Sequence, residues 1–185
     1  SALVTGGAKR VGEAICRALH AGGYRVLVHC QQSCAEADAL AAEFNAQRCD
    51  SALVLRADLA DTSALDAMID EVRAQATDLS LLVNNASAFF ATPLATTTAA
   101  QWDQLVDTNL RAPYFLAQGL HALLADNHGV IVNLADIYAE RPIANHPVYG
   151  MTKAGLVALT RSLARDLAPA VRVNAVAPGA ILWPE

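Results

Sequence analysis

The chain has 185 residues, 54% apolar and 17% charged, enough to fill one hydrophobic core and too apolar for a disordered or collagen-like chain. Thirteen Lys and Arg against eighteen Asp and Glu leave a net charge of −5, so no basic field exists to hold nucleic acid or an anionic membrane, and a small molecule is the expected partner. No apolar run approaches the roughly 18 residues of a membrane span, and Ser1–Val4 runs straight into a glycine turn without a targeting segment, which reads as a cytoplasmic protein.

Strand-like and helix-like apolar periods alternate from end to end. Ala2–Val4 reads as the end of a first strand and Val11–Ala21 as its helix, stopped by Gly22-Gly23. Tyr24–Cys30 is a β-rich run, and Ala35–Phe44 an alanine-rich helix entered through Ser33 as a cap. Ala52–Ala57 makes a third strand, Ser63–Ala76 an amphipathic helix and Leu79–Val83 a short buried strand. Gln101–Leu124 is a long helix that Pro113 should kink. Val130–Leu134, Val148–Leu167 and Val171–Ala177 follow as strand, helix and strand, the last stopped by Pro178-Gly179.

This order predicts one α/β domain over residues 1–185, a doubly wound parallel sheet of Rossmann type with ligand-binding residues just past the carboxyl ends of the strands. The final helix and strand that such sheets often carry are expected to be missing. Cys16, Cys30, Cys34 and Cys49 contain no C-x-x-C pair and read as reduced packing residues. Cys30 and Cys34 with His29 form only a loose cluster, so no metal is expected.

Thr5-Gly6-Gly7-Ala8-Lys9-Arg10-Val11-Gly12 joins the first strand to its helix, where small residues let backbone N–H groups and the helix dipole approach a pyrophosphate. Gly6, Arg10, Val11 and Gly12 are the candidate contacts. Lys9 and Arg10 oppose the helix dipole unless an anion binds there. An acid at the end of the second strand would select NAD, but the strand ends in His29-Cys30-Gln31-Gln32-Ser33. His29, Gln32 and Ser33 beside Arg10 favour the ribose phosphate of NADPH, although His29 also suits an ordinary strand end. Asp58 and Leu59 would flank the adenine, Asp58 serving equally as a helix cap. Asn84 to Ser87, with Asn85, Ala86 and Ser87 as cofactor contacts, would lie along the cofactor's inner half.

Tyr149 and Lys153, four apart on one helix, share a face, and an ammonium beside a phenol would lower the phenol's pKa. Asp136 after the fifth strand offers an acceptor or proton relay. Asn109, inside the kinked helix, either binds a water linking Lys153 to solvent or satisfies the interrupted helix.

Together Thr5–Gly12, Asn84–Ser87, Asn109, Tyr149-x-x-x-Lys153 and Pro178-Gly179 resemble the short-chain dehydrogenase/reductase superfamily across almost the whole chain. Arg10 in place of a glycine and Asp136 in place of the usual serine resemble the pteridine reductases, as do Asn85–Phe89 and the closing Pro178–Glu185. The resemblance implies NADPH-dependent reduction of dihydropterins or dihydrofolate by a homotetramer. It implies that Asp136, Tyr149, Lys153 and Asn109 are catalytic, that Pro178 and Gly179 bind cofactor, and that Phe89 sandwiches the pterin with Ser87 and Arg10 nearby. Gln32 departs from the arginine usual there, and Phe89 beside Phe90 would also suit core packing. A 3-oxoacyl thioester reductase of the same superfamily and a catalytically silent nucleotide-binding protein remain as alternatives.

Overall fold

The computed structural model describes residues 1–179. Six strands form one parallel sheet in the order β3-β2-β1-β4-β5-β6. They are β1 (Ala2–Val4), β2 (Val26–Cys30), β3 (Ala52–Arg56), β4 (Leu81–Asn84), β5 (Val130–Leu134) and β6 (Arg172–Val176). The helices are α1 (Arg10–Ala21), α2 (Cys34–Gln47), α3 (Thr62–Gln75), α4 (Ala99–Val106), α5 (Ala112–Asp126) and α6 (Pro147–Asp166). This is the expected single α/β domain, and the strand order reverses between β1 and β4, where an open α/β sheet leaves a crevice.

Alternating side chains feed two helix layers. Leu3, Leu27, Leu82 and Ile131 pack with Met68 and Val72 of α3 and Leu116 and Leu120 of α5. Val4, Val28 and Val83 face the other way, onto Cys16 of α1 and Leu40 and Phe44 of α2. Each fully buried Leu or Phe contributes roughly 1.5–3 kcal/mol relative to exposure, so the central strands are fixed from both sides.

The long helix breaks upstream of the proline that was expected to kink it. Pro113 sits in the first turn of α5, where its missing N–H does no harm, and the chain widens before it into a π-turn at Asp107–Arg111. The Ala112 N–H reaches Asp107 O, five residues back. Ser33 occupies the N-cap position of α2 but makes no capping bond, and Asp61 rather than Asp58 caps α3, accepting from Ser63 N and Ala64 N. Asp58 instead accepts from Ala60 N at 2.9 Å in its own tight turn.

Candidate active site

The carboxyl ends of β1 to β4 enclose a cleft of about 700 Å³. Gly6, Arg10, Val11 and Gly12 line it from the β1–α1 turn, and Gln32 and Ser33 from the end of β2. Asp58 and Leu59 line it after β3, and Asn85, Ala86, Ser87 and Phe89 after β4. Sequence reasoning did not name Gln104 and Thr108, which α4 and the π-turn bring to the same wall.

The turn is held from below. Gly6 has φ +61°, and a Cβ on Gly12 would lie 2.1 Å from Gly6 O, so the chain passes over itself without room for a methyl group. Asn85 Nδ2 donates to Thr5 O at 2.9 Å and to Gly6 O at 3.0 Å, while Thr5 Oγ1 accepts from Asn85 N and Ala86 N. No side chain caps α1, and residues 9–12 line the cleft, which leaves first-turn N–H groups suited to a pyrophosphate. Arg10 holds φ +52°, a region that favours glycine. Lys9 is paired with Glu36 at 2.7 Å, whereas among the described residues Arg10 has no carboxylate within ion-pair distance. These features fit a dinucleotide.

His29 and Asn84 differ from their expected roles. His29 is buried, its Nδ1 accepting from Gly6 N at 3.0 Å and its Nε2 lying 3.1 Å from Ala57 O. Both ring nitrogens are committed, so it shapes the glycine turn and offers no donor to a phosphate. Asn84 points into the sheet, donating to Asn133 Oδ1 at 2.8 Å.

Burial lowers the pKa of His29 below its ordinary 6.5, against a weaker opposing effect of the Ala57 carbonyl. Between that lowered pKa and 6.5 the unfolded chain binds the proton that the folded chain refuses, so stability falls as pH drops through this window. Urea unfolding at a series of pH values checks this: the wild type should lose stability more steeply than His29→Gln below pH 6.5, and parallel curves would remove His29 as the cause.

Beside the cleft, Tyr149 Oη donates to Asp136 Oδ2 at 2.7 Å, and Asp136 Oδ1 accepts from Tyr138 N at 2.9 Å. Lys153 Nζ donates to Leu134 O at 2.8 Å and lies 5.7 Å from the Tyr149 ring centroid. The expected lowering of the phenol pKa is absent. Burial raises it, and the hydrogen bond and charge of Asp136 add to that, with Ser87 a smaller opposing influence. Burial also lowers Lys153 from 10.5 to about 8, with Asp136 opposing. The pair is therefore a phenol that burial and Asp136 hold in its neutral form beside an amine whose pKa burial has lowered.

Phe89 is 55% exposed, its ring stacked on His146 at 4.8 Å and set edge-on to Tyr149 at 4.8 Å. It is therefore an open aromatic face, not core packing. Asn109 fixes the segment that carries it. Its Oδ1 accepts from Ala88 N at 2.8 Å, and its Nδ2 donates to Ala88 O at 3.0 Å and to Thr152 Oγ1 at 3.2 Å. The amide is thereby committed to the Ala88 backbone and to Thr152, the second of the two expectations for it. Asn109→Ala would strand the Ala88 backbone and Thr152, so we expect about 2 kcal/mol less stability in urea unfolding. A loss below about 0.5 kcal/mol would contradict that role.

Ile137 N donates to Pro178 O at 3.2 Å, which puts the start of the Pro178-Gly179 segment over the Asp136 turn. The rest of the closing segment, 180–185, lies outside the described residues.

A glycine-turn nucleotide cleft flanked by a Tyr–Lys–carboxylate group defines a dinucleotide-dependent oxidoreductase. The chain belongs to the short-chain dehydrogenase family, whose profile matches residues 1–184. It is 35% identical to pteridine reductase 1 of Leishmania tarentolae over 100% of this chain and 77% of that protein. It is 37% identical to a 3-oxoacyl-(acyl-carrier-protein) reductase of Staphylococcus aureus over 98% of this chain and 74% of the relative. Against L-xylulose reductase of Bos taurus the identity is 38%, over 99% and 72%. No helix among the described residues is long and apolar enough to cross a membrane, and they hold no cluster of metal-ligating side chains.

Proposed function

We propose that this protein is a pteridine reductase that uses NADPH to reduce dihydropterins or dihydrofolate to their tetrahydro forms, as a cytoplasmic homotetramer. The observation that carries the reading is the Asp136–Tyr149 bond of 2.7 Å. A ketone oxygen gains from a hydroxyl donor at this position, which an ionised carboxylate cannot be, whereas a pterin offers nitrogens to protonate. Phe89 supplies a flat face for a bicyclic ring, and Arg10 a cation for phosphate and substrate.

When bound, the cofactor supplies the hydride. Gly6, Gly12 and the start of α1 would hold its pyrophosphate, Arg10, Gln32 and Ser33 the ribose phosphate, and Asp58 and Leu59 the adenine. Asn85, Ala86, Ser87, Pro178 and Gly179 would contact its inner half. Lys153 keeps two N–H donors beyond its bond to Leu134 O and would hold the nicotinamide ribose. Tyr149 gives its proton to the pterin nitrogen next to the reduced carbon, the charged Lys153 offsets the phenolate left behind, and Asp136 returns a proton from solvent.

The test is NADPH consumption with dihydrobiopterin and dihydrofolate, with an acetoacetyl thioester as competitor. Pterin-dependent oxidation is expected. Oxidation with the thioester alone would replace this reading with the 3-oxoacyl reductase reading, and binding without turnover would leave a nucleotide-binding protein. At equal salt the dissociation constant for NADPH should lie below that for NADH; equal constants would remove the ribose-phosphate assignment.

A further inference from the structure

Two thiols stand together at the edge of the cleft. Cys30 ends β2, is buried and lines the cleft; Cys34 opens α2 and is half-buried. Their sulfurs are 3.6 Å apart, and the Cys34 thiol also points to Gln31 O at 3.5 Å. The residues between them, Gln31, Gln32 and Ser33, all line the cleft. Arg56, register partner of Cys30 on β3, is ion-paired with Asp38 of α2 beside the two thiols. Cys16 is sealed in the core, and Cys49 is exposed elsewhere.

We propose that Cys30 and Cys34 are a modification site, a dithiol that hydroperoxides oxidise reversibly to a disulfide, which alters the nucleotide cleft. Cys34, the accessible sulfur, attacks the peroxide O–O bond as thiolate and becomes a sulfenic acid while the other oxygen leaves as hydroxide and is protonated to water. Burial, with Cys34 adding to it, keeps Cys30 a thiol. Its sulfur then attacks Cys34 and expels hydroxide, which takes the Cys30 proton. In sum two thiols and one hydroperoxide, as H2O2, give one disulfide and two waters; the sulfurs lose two electrons and the peroxide gains them. Closing the gap from 3.6 Å to a bond of about 2.05 Å moves the sulfurs about 1.5 Å together. Gln31–Ser33 lie inside the loop so closed, so the wall against the nucleotide must shift.

The experiment uses a Cys49→Ser background, which removes the exposed thiol, and low millimolar H2O2. Trypsin leaves both cysteines on the single peptide Val26–Arg48 and Cys16 on another, Val11–Arg17. The expected result is a loss of about 2 Da confined to the first peptide, restored by dithiothreitol, with at least a threefold change in the NADPH dissociation constant. Adding Cys34→Ser should abolish both changes while leaving NADPH binding before oxidation unaltered. Stable free thiols on Val26–Arg48 under these conditions would overturn the proposal, and a disulfide with unchanged NADPH affinity would overturn its coupling to the cleft. The coupling rests on the cleft being the nucleotide site; the mass change does not depend on which substrate is reduced.

Discussion

Replacing Tyr149 with Phe is expected to lower kcat by about 10²–10⁴-fold, the usual worth of a positioned proton donor, while leaving the NADPH dissociation constant within about threefold. The ring would keep its edge-on contact with Phe89 and its place above Lys153, so the surroundings of the missing hydroxyl stay packed. The substitution removes a protonated donor held in place beside the cleft: its proton points at Asp136 Oδ2, and burial and that carboxylate both hold the phenol in its neutral form. Loss of the bond costs about 1 kcal/mol of stability, too little to unfold a domain with this core. Steady-state kinetics with dihydrobiopterin and fluorescence titration with NADPH separate the two effects. A kcat within threefold of wild type would take Tyr149 out of the chemistry, and a lost NADPH affinity would make its role one of binding.

The Tyr–Lys pair departs from the expected phenolate-favouring arrangement. A depressed phenol pKa would leave some phenolate before substrate arrives. Here burial and the Asp136 carboxylate hold the phenol in its neutral form, and burial lowers Lys153 to about 8. Burial is the first cause and Asp136 adds to it: the carboxylate stands at 2.7 Å from the hydroxyl, while the ammonium bonds a backbone carbonyl.

What was legible from sequence follows from locality. The parallel sheet came from alternating apolar periods, and the Tyr149–Lys153 pair from four-residue spacing, because both patterns are written along neighbouring positions. Arg10 at φ +52° was visible as a departure from a glycine position. The π-turn was not, because Pro113 signals only that a break is needed, and the chain takes it upstream where Asn109 gains partners on Ala88 and Thr152. His29, which the sequence left between a phosphate contact and an ordinary strand end, was undecided for a related reason. A strand-end imidazole looks free until parallel pairing brings Ala57 O to one nitrogen and the turn brings Gly6 N to the other. The stacking of His146 on Phe89 joins loops far apart in sequence, and nothing near either residue announces it.

Gly12→Ala tests the nucleotide cradle itself. An added Cβ would meet Gly6 O at 2.1 Å, Gly6 C at 2.9 Å and Asn85 Nδ2 at 2.7 Å, and two of these three are backbone. Gly6 cannot retreat cheaply, since its N–H is held by His29 and its carbonyl by Asn85. Either α1 moves away from the turn or the turn opens, and in both cases the N–H groups that would meet the pyrophosphate lose their alignment. The expected outcome is at least a 100-fold weaker NADPH dissociation constant by calorimetry, with overpacking costing about 1–3 kcal/mol of stability. Gly22→Ala is the matched control. Its added Cβ would meet nothing closer than 3.4 Å, at the far end of the same helix, and the backbone there has φ −76°, so it should bind NADPH as the wild type does. Normal NADPH affinity in folded Gly12→Ala would mean that the turn is an ordinary strand-to-helix connection and that the cofactor lies elsewhere.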